Sequence, residues 1–137
     1  MKRIAAVVAF SLLAGAVAAA QSYPGDAGAG TERGIEQVNN SGQVGTVTLY
    51  RADPHTRVAL DLKGSDGRAQ SVRLYRGPSC DDLATRPTYV LADLRGGTSR
   101  SIVAVGEDKL LSGNYNVVIF SSNRVGAHAT ACGHLYQ

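Results

Sequence analysis

From Val44 to the end of the chain, short segments alternate apolar with polar residues, and each closes on a cluster of Gly, Pro, Asn, Asp or Ser. A two-residue period sends successive side chains to opposite faces, so such segments read as strands with one buried face and one solvated face. Arg57 to Lys63 is the clearest case: Val58, Leu60 and Leu62 share one face, while Arg57, Asp61 and Lys63 share the other. By the same criterion strands run over Val44 to Tyr50, Ala69 to Arg76, Thr88 to Leu94, Ser99 to Val105, Asn114 to Ser121 and Ala127 to Leu135. Turn chemistry separates them at Ala52-Asp53-Pro54-His55, Gly64-Ser65-Asp66-Gly67 and Arg95-Gly96-Gly97. A helix at Glu107 to Leu111 would be one turn at most. Seven short strands without a helical period predict an all-β, antiparallel two-layer sandwich or flattened barrel in a single domain, residues 42–137.

The first twenty residues follow a different rule. Lys2 and Arg3 precede an apolar run from Ile4 to Val17, and Ala18-Ala19-Ala20 supplies the small residues of a signal-peptidase site before Gln21. The run is too short and too alanine-rich to make a good membrane span, and no transmembrane segment is expected once it is removed. The expected location is therefore exported, periplasmic or secreted. Gln21 to Ser41 carries Gly25, Gly28, Gly30, Gly34, Asn39 and Asn40 with little apolar content, which predicts a mobile leader. Of fourteen Lys and Arg, Lys2 and Arg3 leave with the signal while all eleven acids stay, so the mature charge is +1. A near-neutral domain exerts no global pull on nucleic acid or anionic lipid, and no nucleic-acid partner is expected.

Cys80 and Cys132 both lie in the mature part of the exported chain. That compartment favours a disulfide over a thiol site, and a metal site is the competing reading, although the two cysteines lack the paired spacing of structural zinc ligands. Histidines offer no better metal site. His128 and His134 share a strand face but stand about 20 Å apart at ~3.3 Å per residue, and His55 sits in a turn. Ser121-Ser122 and Ser99-Arg100-Ser101 have no local base, Asp81-Asp82 is an adjacent pair in a loop, and Gly96-Gly97-Thr98 lacks the lysine of a phosphate loop. No catalytic residue, metal ligand or cofactor is assigned.

Four stretches carry a family resemblance: Val72-Arg73-Leu74-Tyr75-Arg76-Gly77-Pro78-Ser79-Cys80, Tyr89 to Leu94 with Gly97-Thr98-Ser99, Leu110 to Tyr115, and Ala131-Cys132-Gly133. Over residues 42–136 the chain resembles the copper/zinc superoxide dismutase superfamily and its small secreted CHRD-like relatives. The resemblance implies a Greek-key sandwich with a Cys80–Cys132 bridge. It implies metal ligands too, but the matching positions hold Arg73 and Tyr75 in place of a His-x-His pair and Phe120 in place of a later histidine. No histidine falls between Gly77 and Pro87, where the zinc subloop would lie, and Ala129 stands where the family has a guiding arginine. Guanidinium and phenyl groups cannot replace imidazole at copper.

Arg73, Tyr75 and Phe120 are thus the candidate surface. They read either as packing under the Cys80 loop, with Arg73 stacked on a ring, or as a contact patch of hot-spot residue types. Arg73, Arg76 and Arg86 are a candidate anion cluster, with Asp81 and Asp82 close by to neutralise it. The expected function is a non-catalytic binding or envelope-associated module for an unknown protein or envelope ligand. The alternatives are a copper/zinc-binding or dismutase-like metalloprotein with a rearranged site, and an inhibitor of a secreted enzyme.

Overall fold

A computed structural model describes residues 30–136. Among these residues the elements are β1 (Thr31–Gln37), β2 (Val44–Ala52), β3 (His55–Lys63), β4 (Gln70–Arg76), β5 (Tyr89–Leu94), β6 (Thr98–Val103), α1 (Glu107–Ser112), β7 (Tyr115–Phe120) and β8 (Ala129–His134). Seven strands stand where alternation placed them, each end within two residues of its expected position. The expected signal peptide and residues 21–29 of the expected leader lie outside the described residues. Strand β1 corrects the rest of the leader: Thr31–Gln37 is paired on both sides, so the barrel has eight strands rather than seven.

The reason β1 escapes a hydrophobic reading is plain from its packing. Ile35 is its one buried side chain, and the remaining order comes from backbone ladders. Thr31 to Ile35 pair with Leu49 to Gly45 of β2, and Glu36 and Gln37 pair with Cys132 and Ala131 of β8. Gly133 makes the second approach possible. A Cβ at Gly133 would lie 2.5 Å from the Gly34 carbonyl oxygen, closer than any side chain tolerates.

The strands form one antiparallel sheet in the order β5-β4-β7-β8-β1-β2-β3-β6. The chain passes between the two halves at β3 to β4, at β5 to β6 and again at β6 to β7, a Greek-key path. The sheet curls until its two edge strands meet, but no backbone ladder joins β5 to β6. Two serines bridge the seam instead: Ser99 Oγ donates to the Ala92 carbonyl at 2.7 Å, and the Ala92 N–H donates to Ser101 Oγ at 2.8 Å. Satisfying these edge groups with side chains nearly closes the barrel.

The interior is the apolar face of every strand. Leu49, Leu60, Leu74 and Ile119 are fully buried, as is Leu110 of the six-residue helix α1. Burying one such side chain contributes roughly 1.5–3 kcal/mol. One polar lock sits within this region. Gln43 and Gln70 exchange amide hydrogen bonds at 2.9 and 3.0 Å, Thr130 Oγ1 donates to Gln43 Oε1, and Gln70 Nε2 also donates to the Phe120 carbonyl at 2.8 Å. No helix among the described residues is long and apolar enough to cross a membrane.

Candidate functional site

Strand β7 is buried on both faces, and that is what builds the site. Val117 and Ile119 point into the barrel, so Val118 and Phe120 point out of it. In β4 the same period sends Val72 and Leu74 inward and Arg73 and Tyr75 outward. The register aligns Arg73 with Val118 and Val118 with Cys132, giving one row across the outer face of β4, β7 and β8.

A second, smaller core forms on this outer face. Tyr75, Val118 and Cys132 are buried there against Val38, Cys80, Leu83, Phe120 and Ala129. Its cover is the β4–β5 connection, residues 77–88, held by the Cys80–Cys132 disulfide, whose Cα atoms are 6.2 Å apart. Hydrogen bonds hold the same connection along its length. Asn116 Nδ2 donates to the Gly77 carbonyl at 2.9 Å, the Tyr136 hydroxyl donates to the Pro78 carbonyl, and the Ala84 N–H donates to the Arg76 carbonyl at 2.8 Å.

The three candidate side chains come together in the structure. The Tyr75 and Phe120 rings are 6.3 Å apart at 56°, and the Arg73 guanidinium lies 5.2 Å from the Phe120 centroid. Tyr75 is packed under the disulfide connection, so the packing reading describes it; Arg73 and Phe120 remain half-exposed. Arg73 Nε is buried and has no hydrogen-bond acceptor among the described residues. Leaving a buried charged donor without an acceptor costs free energy on the order of 1–3 kcal/mol.

The β7–β8 connection supplies residues that sequence reasoning missed. Ser122, Arg124, Val125 and Ala127 join Ser71, Arg73 and Phe120 around a shallow cavity of about 200 Å³. Val125 is fully exposed beside the exposed Arg124. A lone apolar residue next to arginine in a turn carries no periodic signal; only its place beside Arg73 makes it notable.

The supposed Arg73–Arg76–Arg86 cluster does not assemble around Arg73 and Arg76. Three positions apart in a strand, these two arginines take opposite faces, and Arg76 lies on Tyr115 rather than Phe120. The histidines stay apart as well. His134 Nδ1 meets Asn116 Oδ1 and its ring lies 5.3 Å from Tyr136, while His55 and His128 are exposed. Among the described residues no three His, Cys, Asp or Glu side chains converge on a common point. The copper and zinc of the resembled family therefore do not fit the side chains at positions 73, 75 and 120. No family model, curated protein or solved structure matches the chain.

Proposed function

We propose that the protein is an exported, non-catalytic binding module of superoxide dismutase-like fold, periplasmic or secreted, that docks an envelope or secreted protein. The docking face carries Arg73 and Phe120 with the Arg124–Val125 turn, and Tyr75 supports it from beneath. The observation behind this reading is the Arg73–Phe120 stack itself. Positions that would need imidazole for metal chemistry instead hold a half-exposed cation on an aromatic ring, its Nε without an acceptor among the described residues, beside an exposed valine. Arginine and aromatic side chains on a rigid support are the residue types that dominate protein interfaces. The Greek-key order and the Cys80–Cys132 bridge agree with the resemblance, and a disulfide is compatible with export.

A photo-crosslinking residue placed at Val125 in the exported protein tests the reading directly. One discrete adduct is expected, abolished by Arg73→Ala and by Phe120→Ala but retained in Lys63→Gln. Metal content and superoxide turnover are measured on the same preparation. Stoichiometric copper with turnover, or an adduct indifferent to Arg73→Ala, would sink the proposal.

A further inference from the structure

A second concave site lies where β4 ends, β7 begins and α1 crosses between them. It holds about 380 Å³, and its polar lining is Arg76, Lys109, Tyr89, Tyr115 and Ser112, whose hydroxyl donates to the Asp108 carbonyl. That volume falls within the range of small-molecule pockets, ~300–1,000 Å³. By the two-residue period Arg76 turns away from Arg73, so this site is separate from the docking face.

The distribution of charge is the telling feature. Both acids of α1 are engaged elsewhere: Glu107 lies 3.7 Å from Arg51 and accepts a 2.7 Å hydrogen bond from Thr31, and Asp108 lies 3.2 Å from Arg51. Lys109, on the same short helix, has no ion pair among the described residues, and neither does Arg76. Two cations thus line one hollow without a carboxylate to balance them.

The arginine is also pre-positioned. Its Nε and Nη2 donate to the Tyr115 hydroxyl at 3.1 and 3.0 Å, which fixes the guanidinium plane and leaves its other N–H groups for a ligand. Having accepted both bonds, the Tyr115 oxygen keeps its own proton to donate. Tyr89 packs 5.8 Å from Tyr115, ring to ring. Burial, then Tyr115, push its phenol above the ordinary value against the opposing pull of Arg76. Gly113 makes room for this arrangement, because a Cβ there would meet the Tyr115 ring at 2.5 Å.

We propose that this cavity binds the phosphate group of a small phosphate monoester, with Arg76 and Lys109 on the phosphoryl oxygens and the two phenol hydroxyls as further hydrogen-bond partners. An arginine fork beside a lysine point charge suits a dianion better than a single carboxylate. The cavity is larger than a phosphate and leaves space for the organic part of the ester.

The test is an amide-resolved NMR titration of the full, disulfide-bonded protein at constant ionic strength, with inorganic phosphate, phenyl phosphate and benzoate as probes. Saturable shifts at Tyr89, Lys109 and Tyr115 are expected, with phenyl phosphate tighter than inorganic phosphate and benzoate weakest. Lys109→Gln and Arg76→Gln are each expected to weaken phenyl phosphate about tenfold or more, and Lys63→Gln to leave it unchanged. The Lys109 side chain makes no hydrogen bond or ion pair among the described residues, so Lys109→Gln decides the matter even where Arg76→Gln loosens Tyr115. Unsaturable shifts, equal affinity in Lys109→Gln, or benzoate binding as tightly as phenyl phosphate would overturn the proposal.

Discussion

Gln43 and Gln70 are buried polar residues, and each satisfies the other. Removing one side chain takes two buried hydrogen bonds from its partner, which keeps only its bonds to Phe120 or Thr130 and the nearby turn, so Gln43→Ala and Gln70→Ala are each expected to cost about 1–3 kcal/mol. In a double-mutant cycle read by denaturant midpoint, the double variant is expected to lose clearly less than the two single losses combined. Full additivity would show that the pair is not a unit. Tyr89 gives a residue-level pH prediction. Its phenol is raised in the folded state, first by burial and then by Tyr115. The unfolded chain therefore releases this proton first, near the ordinary tyrosine value of about 10. Stability from this group is complete below that pH and is lost as pH climbs toward the raised folded value. Denaturation midpoints measured from neutral to alkaline pH are expected to fall less steeply in Tyr89→Phe than in the parent, and identical slopes would contradict this.

Among the connections, residues 77–88 matter most, because they convert the outer face of β7 from a solvated surface into a second core. The disulfide joins residues 52 positions apart. By chain entropy its loss costs about 4 kcal/mol, a large part of the ~5–15 kcal/mol typical of a domain. Cys80→Ser with Cys132→Ser is therefore expected to unfold at much lower denaturant than the parent, with the gap closing when the parent is reduced. A shift below ~1 kcal/mol would mean that the hydrogen bonds from Asn116 and Tyr136 hold the connection without help. Strand β1 makes the complementary point. A segment with one buried side chain is a strand because two neighbours offer it ladders.

At the scale of the whole molecule, the β5–β6 seam is the weakest join in the barrel. Elsewhere each neighbouring pair shares a backbone ladder, whereas here one backbone bridge at the turn, Arg95 to Thr98, is joined only by Ser99 and Ser101 bonding to Ala92. Ser101→Ala removes the acceptor of the Ala92 N–H and is expected to speed hydrogen exchange at that amide up to about tenfold, a cost of ~0.5–1.5 kcal/mol for one hydrogen bond. Amides in the β4–β7 ladder should be unaffected. Uniform acceleration across the sheet would instead mean that the seam opens only with global unfolding.

Alternation alone was enough for seven strands and their inward faces, since a period of two is a local property that any half-buried strand must display. Val58, Leu60 and Leu62 could be assigned to the core before any neighbour was known, and the compartment and two cysteines already favoured a bridge. What local pattern could not hold was anything dependent on an unrelated segment. Thr31–Gln37 became a strand because β2 pairs with most of it and Gly133 lets β8 reach its end. Tyr75 became a core residue because a distant connection covers it, and Arg73 parted from Arg76 because a strand sends them to opposite faces. The Arg76–Lys109 cavity unites residues from β4 and α1 with tyrosines from β5 and β7. Such a site arises only when the Greek-key path folds distant segments against one another, because sequence periodicity reports burial, whereas a site is set by which side chains end up as neighbours.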